Sequence, residues 1–174
     1  MSVLTASARH KLLSASLAAV IAFSVAAYTT ATRAATTTTT FTSQITIIAS
    51  CVINSASTLD FGSQGVLVAN VDQTSTIQVQ CTNTTPYNIG LDAGTGSGAT
   101  VATRKMTNGG ATVNYSLYTS AARTTVWGNT VGTDTVAATG NGAAQNYTVY
   151  GRVPAQTTPA PASYTDTVTV TVTY

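Results

Sequence analysis

The fold of this chain is indicated most clearly by its C-terminal stretch, Ser163-Tyr164-Thr165-Asp166-Thr167-Val168-Thr169-Val170-Thr171-Val172-Thr173-Tyr174. In its second half, apolar side chains alternate with threonine, so that Val168, Val170, Val172 and Tyr174 are in phase. Successive side chains of a β-strand point to opposite faces of the sheet, so this alternation is typical of a strand with one buried face. We therefore expect the chain to end in a strand.

The same alternation occurs in four earlier runs: Ile77, Val79 and Cys81; Tyr87, Ile89 and Leu91; Val113, Tyr115 and Leu117; Tyr147, Val149, Gly151 and Val153. Turn-forming residues separate these runs, at 94–98, 108–110, 140–142 and 154–161. No segment has the periodicity of an amphipathic helix. Short strands joined by such turns predict an all-β sandwich.

The N-terminus has the organisation of a secretory signal peptide. A basic cluster at residues 9–11 precedes an apolar stretch from Leu12 to Ala27, and small residues follow up to Ala34. A membrane anchor is the alternative, but a span needs about 20 apolar residues, and serines interrupt this stretch. We assign residues 1–34 to the signal peptide, with cleavage after Ala34 or Ala27 both open. Export is therefore expected.

Removal of this segment changes the charge of the chain. It takes away Arg9, Lys11 and Arg33 but none of the 5 acidic residues, so the formal charge falls from +2 to −1. Nucleic-acid binding depends on clustered Lys and Arg, so no nucleic-acid partner is expected. About 140 residues remain, enough for one domain with a single core. We place that domain at 50–174, preceded by a separate segment at 35–49.

The two cysteines, Cys51 and Cys81, both lie in the exported part. In an oxidising compartment such a pair normally forms a disulfide. A metal site is the alternative, but histidine and further cysteines are missing from this part of the chain. We predict a disulfide bridge at the start of the sandwich.

The segment immediately before the first cysteine has its own strand pattern, in which Phe41, Ser43, Ile45 and Ile47 alternate with polar residues. It is either the first strand of the chain's own sandwich or a mobile strand that completes the sheet of another molecule. The pattern alone leaves both interpretations open.

Catalytic chemistry is not expected. Acid–base and nucleophilic mechanisms need a positioned base, yet the only histidine is His10, in the signal peptide, and the chain has no glutamate. The aspartates stand singly among predicted loops and strand ends, where solvated turn residues are the usual explanation. No catalytic residue, metal site or cofactor is predicted.

Several segments together resemble the spore coat protein U domain family, which includes subunits of archaic, Csu-type chaperone-usher pili. They are Leu59-Asp60-Phe61-Gly62, the run YSLYTSAARTTVWG at 115–128, YGRVP at 150–154 and YTDTVTVTVTY at 164–174. The resemblance extends over essentially the whole exported chain.

This resemblance implies an immunoglobulin-like sandwich that lacks one strand and is completed by the N-terminal strand of a neighbouring subunit. Phe41, Ser43, Ile45 and Ile47 would then be the donor residues, and the C-terminal strand residues Val168, Val170, Val172 and Tyr174 would line the acceptor groove. The implied partners are identical or related pilin subunits, a periplasmic chaperone and an outer-membrane usher. The implied location is a surface pilus that supports adhesion and biofilm formation.

Two other functions remain open from the sequence. One is a spore or cell-surface coat protein of the same fold. The other is a secreted carbohydrate-binding sandwich, whose sites usually offer exposed aromatic side chains. For the only tryptophan, Trp127, we expect a packing role instead.

Overall fold

The computed structural model of the chain describes residues 32–174. The predicted signal peptide therefore lies outside the described residues, except for 32–34, and stays a prediction. The chain divides after Ser43 into two units. The described part of the first unit, residues 32–43, contains neither helix nor strand.

The second unit, Gln44–Tyr174, consists of strands and loops. Its strands are β1 (Cys51–Ala56), β2 (Val71–Cys81), β3 (Pro86–Leu91), β4 (Arg104–Asn108), β5 (Ala111–Tyr118), β6 (Val136–Thr139), β7 (Ala144–Val153) and β8 (Val170–Thr173).

The strands form two antiparallel sheets. A 5-stranded sheet has the order β1-β2-β7-β5-β4, and a 3-stranded sheet has the order β6-β3-β8. The longest pairing joins β2 to β7, from Val71 opposite Val153 to Gln80 opposite Ala144. The all-β sandwich expected from the sequence is confirmed.

The core lies between the inward faces of the two sheets. The four alternating runs lie within β2, β3, β5 and β7, and their apolar side chains are mostly buried, as predicted. The buried apolar residues are Phe61, Leu67, Ile77, Val79, Cys81, Tyr87, Ile89, Leu91, Val113, Tyr115, Leu117, Trp127, Val149 and Val153. Burial of these side chains is the main stabilising contribution to the sandwich.

Gly151 occupies an inward position of β7 between two buried valines. A Cβ atom added there would meet the side chains of Leu59, at 2.5 Å, and Phe61, at 2.9 Å. The absence of a side chain thus makes room for the chain that follows β1, and it explains why the Leu-Asp-Phe-Gly and Tyr-Gly-Arg-Val-Pro segments occur together.

The C-terminal stretch is not one long strand. Only Val170–Thr173 pairs with β3, while Thr165 makes an isolated bridge to Thr107 at the edge of the other sheet. Asp166 accounts for the break, because its carboxylate accepts hydrogen bonds from the Thr95 amide, at 2.7 Å, and from the Tyr115 hydroxyl, at 2.8 Å. The chain therefore changes sheets before β8 begins.

Candidate functional site

Of the strand edges that lack a partner strand among the described residues, two lie next to each other. β1 is the edge of the larger sheet and pairs with β2 alone, while β8 is the edge of the smaller sheet and pairs with β3 alone. The two strands are in contact. An unpaired strand edge presents a row of backbone donors and acceptors that another strand can join.

Ile53, on β1, is an inward-facing side chain that remains partly exposed. In β1, Cys51 lies opposite Cys81 and Ile53 opposite Val79, so these side chains point to the same, inward face. Val79 is completely buried, whereas Ile53 remains 41% exposed. An inward apolar side chain is thus left partly uncovered, and we call the strip along the adjacent edges of β1 and β8 the edge groove.

The four predicted acceptor residues differ in how far they are buried. Val168, Val170 and Val172 are partly buried against the core, on the β8 side of the edge groove. Tyr174 follows the end of β8 and is 60% exposed. The structure therefore brings three of the four residues together and leaves Tyr174 apart from them.

The predicted donor residues lie in no strand. Residues 41–49 have no regular secondary structure and are exposed throughout. The exposed fractions of Phe41, Ile45 and Ile47 are 91%, 82% and 72%, and Ser43 is exposed as well. The segment thus does not form the first strand of its own sandwich in this structure, and large apolar side chains stand in solvent.

The predicted disulfide is confirmed. Cys51 and Cys81 are bonded, with their Cα atoms 4.1 Å apart on directly opposed positions of β1 and β2. The two cysteines are separated by 30 positions in the sequence. The bridge therefore fastens the first residue of the groove-lining strand to the interior strand beside it.

A buried arginine, which sequence reasoning missed, supports the smaller sheet. Arg104 is completely buried and donates to four carbonyl oxygens: Leu91 at 2.9 Å, Asp92 at 2.7 Å, Val101 at 2.8 Å and Trp127 at 2.8 Å. Burial lowers the pKa of Arg104 because it disfavours the charged form. The guanidinium holds the end of β3, the strand on which β8 is built.

Trp127 has the predicted packing role. It is 1% exposed, and its indole nitrogen donates to the carbonyl of Ile89, in the middle of β3, at 2.8 Å. The backbone amide of Trp127 donates to Leu117 at 2.9 Å. The side chain therefore packs in the interior, and the aromatic platform that a sugar site would need is not built on it.

All five aspartates were expected to be solvated turn residues, but three of them have specific partners far away in the sequence. Besides Asp166, Asp92 accepts the amide of Thr169 at 2.9 Å and so positions the start of β8. Asp72, on β2, forms two 2.7 Å hydrogen bonds with the guanidinium of Arg152, directly opposite on β7. These hydrogen bonds lower the pKa of Asp72, against an opposing effect of burial.

The described part of the chain offers no site for metal chemistry. Across residues 32–174, no three His, Cys, Asp or Glu side chains gather in a group that could hold a metal ion. In the same residues, no helix has the length and hydropathy that crossing a membrane requires.

The geometry defines a class of protein: an all-β sandwich with an open edge groove and an exposed apolar N-terminal segment. The family model of the Spore Coat Protein U domain matches residues 37–171. The chain therefore belongs to the Spore Coat Protein U domain family, as its sequence motifs indicated.

Two known proteins resemble this chain over most of its length. The chain is 34% identical over 172 residues to "Protein U" of Myxococcus xanthus. This alignment covers 90% of this chain and 92% of that protein. It also resembles a chain in the crystal structure of the CsuC-CsuE chaperone–tip adhesion subunit pre-assembly complex from archaic chaperone-usher Csu pili of Acinetobacter baumannii. That match has a TM-score of 0.54 and 25% identity over 74% of this chain. The match spans 40% of the length of the Csu chain.

Proposed function

We propose that this protein is a structural subunit of a chaperone-usher pilus and that it polymerises by donating residues 41–47 to the edge groove of the next subunit. The partly exposed, inward-facing Ile53 is the observation that carries the proposal, because a strand laid along β1 would cover it. The family and the Csu pilus relative support the same function.

The donated segment and the groove match in chemistry, because both present apolar side chains. Phe41, Ser43, Ile45 and Ile47 would point into the neighbour's core, between β1 and Val168, Val170 and Val172. Burying an Ile or Phe side chain contributes roughly 1.5 to 3 kcal/mol, so three such residues contribute about 5 to 9 kcal/mol before the cost of ordering. Backbone pairing with the free edges adds to this, so assembled fibres should be long-lived. Ser43 fills its pocket least well.

The proposal implies particular partners and a location. Before assembly the groove needs a temporary strand, which a periplasmic chaperone would supply, and an outer-membrane usher would exchange it for the donor segment of the next copy. The product is a fibre of identical or related subunits on the cell surface, with a role in adhesion and biofilm formation. Catalysis has no part in this function.

The decisive experiment introduces charge at two of the donor side chains that would enter the groove. Ile45→Asp with Ile47→Asp should leave the subunit folded and able to bind its chaperone, but should abolish pili on the producing cells. Charged side chains in the groove would be buried without partners, and this is strongly unfavourable. Thermal unfolding of the chaperone complex and negative-stain microscopy of cells provide the two measurements.

A matched control puts the same charges on the opposite face of the segment. Gln44→Asp with Thr46→Asp should still allow pili, because these side chains point away from the groove. Normal pili in the Ile45 and Ile47 variant would refute strand donation. Loss of its folded complex would instead assign the segment to the subunit's own core.

A coat protein is the second candidate, and the match of residues 37–171 to the Spore Coat Protein U domain supports it. Such a protein would use the same fold in a surface layer. Microscopy separates the two functions, because a coat protein gives a continuous layer on the cell and a pilin gives discrete filaments that disappear with the gene.

A further inference from the structure

Two exposed apolar side chains at the N-terminal end are not explained by strand donation. Ile48 is 73% exposed and Val52 is 55% exposed. Both have the opposite parity to Phe41, Ile45 and Ile47, so a groove that accepts those residues leaves Ile48 and Val52 outside it. Val52 lies opposite Gln80, on the outward face of β1. This pair is therefore available for contact with another surface.

The sandwich has two ends of different character. At one end, which we term the tail pole, the carbonyl of Ser50 accepts the amide of Thr82 at 2.9 Å, and the amide of Gly142 donates to the carbonyl of Cys81 at 3.1 Å. The N-terminal segment joins the sandwich here. β1 runs from the tail pole toward the opposite end, since it begins at the disulfide.

The opposite end, which we term the loop pole, presents two exposed valines. Val66 and Val68 are 75% and 80% exposed on either side of the buried Leu67. The amide of Leu67 donates to the hydroxyl of Thr158 at 2.8 Å, and its carbonyl accepts the amide of Gln156 at 3.0 Å. These bonds fix the loop and hold both valines outward.

The requirement that the fibre remain open-ended restricts which poles of neighbouring subunits can meet. If a donor segment left its neighbour's groove at the tail pole, two tail poles would face each other, and the pair would close as a symmetric dimer. A continuing fibre requires head-to-tail contact, so the donor segment must leave at the loop pole. It then runs parallel to β1 of the receiving subunit and antiparallel to β8.

The connection between donor segment and sandwich is short. From Ile47 to Cys51 the chain has four Cα steps of at most about 3.6 Å each, so it reaches no more than about 14 Å. The tail pole of one subunit must therefore lie close to the loop pole of the next. This brings Ile48 and Val52 of the first subunit toward Val66 and Val68 of the second.

We propose that Ile48 and Val52 of one subunit pack against Val66 and Val68 of the next copy, in a second contact that limits rotation between neighbouring subunits. The inference rests on the proposed strand donation, but it concerns a different surface and can fail separately. Its physical basis is the removal of four exposed apolar side chains from water at each junction.

Cross-linking tests the contact in assembled fibres. The chain has 2 cysteines, and both are in the disulfide, so introduced thiols are the only reactive ones in the mature protein. Fibres of the variant Ile48→Cys with Val68→Cys, treated with a short bismaleimide, should give a ladder of covalent multimers after denaturation. The matched control is Ile48→Cys with Asn83→Cys, because Asn83 is exposed at the tail pole; it should give no ladder.

Each result decides the matter. Normal fibres without a ladder in the Val68 variant would overturn the contact and leave the proposed function intact. A covalent dimer in the Asn83 control instead would also overturn it, because tail poles would then face each other and the pair would close. If the wild-type chain makes no fibres at all, strand donation fails together with the contact.

A second variant tests whether the contact stiffens the fibre. Val66→Ser with Val68→Ser changes exposed side chains only, so subunits should fold and fibres should form in normal number. Without the apolar packing between neighbouring subunits, the fibres should bend more easily, seen as a shorter persistence length in electron micrographs. An unchanged persistence length would contradict the proposed role.

Discussion

Arg104 is a cation inside the core whose four acceptors are all backbone carbonyls. Burying a guanidinium is costly unless each donor finds a partner, and here the planar, forked geometry of the side chain matches four oxygens from three parts of the chain. The side chain therefore replaces the regular pairing that the loops around β3 lack.

Arg104→Met should be strongly destabilising, because it leaves several buried carbonyl oxygens without a donor. We expect a loss of several kcal/mol in the free energy of unfolding, because each buried polar group left without its partner costs roughly 1 to 3 kcal/mol. Urea unfolding followed by the fluorescence of Trp127 measures it. Arg104→Lys is the control and should lose less, although an ammonium group cannot span four carbonyls. Equal stability of the Met variant and the wild type would contradict this role.

Asp72 should make the stability depend on pH in the acid range. Its pKa is lowered in the folded protein, chiefly by the hydrogen bond from Arg152. The folded state therefore prefers the charged carboxylate, and this contribution is complete above about pH 4 and is lost as the pH falls further, through the lowered pKa. Asp72→Asn should flatten this part of the pH profile. Urea midpoints measured from pH 6 down to pH 2 test it, and identical slopes would refute it.

Among the elements, β1 would have two conflicting tasks under the proposed strand donation. It would offer a free edge to an incoming strand, yet it is a short edge strand with a register shift between Ile53 and Ser55. A strand paired on one side only is easily detached from its sheet. The disulfide at Cys51 fastens its first residue and so keeps one wall of the edge groove in place.

Removing the bridge should therefore affect β1 more than the rest of the sandwich. For Cys51→Ser with Cys81→Ser we expect a loss of roughly 3 to 4 kcal/mol in stability, from the entropy of the unfolded chain. Amide hydrogen exchange should rise first in β1 and remain slow in β2 and β7. Uniform exchange across the three strands would show that the bridge acts on global stability alone.

For the whole molecule, the proposed strand donation implies that the isolated sandwich is incomplete. It exposes apolar core surface along two unpaired edges, and both features promote association. The molecule should therefore be stable only when a strand from elsewhere occupies the groove.

A chain that begins at Ser50 should be poorly soluble or form irregular oligomers by itself. A synthetic peptide of residues 37–49 added during refolding should yield a soluble complex, with a higher melting temperature than the trimmed chain alone. The same peptide with Ile45→Asp and Ile47→Asp is the control and should not rescue it. Size-exclusion chromatography and thermal unfolding report the result. A stable, soluble monomer of the trimmed chain without any peptide would show that the sandwich is complete without a donated strand.

The sequence by itself determined the local features of this protein. Alternation of apolar and polar residues marks the inward faces of β2, β3, β5 and β7, because a strand repeats every two residues whatever its neighbours are. The two cysteines identified the bridge, since an exported chain with one pair has little choice of partner. The motifs around Trp127 and Gly151 identified the family.

Tertiary structure decided what depends on distant contacts. Pairings such as Val71 with Val153, the break before β8 and the burial of Arg104 arise where segments far apart in sequence meet. The alternation at Val168–Tyr174 predicts a strand but does not state which edge it leaves free. The edge groove exists because β1 and β8 end two different sheets side by side, and the strand period carries no information about which strands become neighbours.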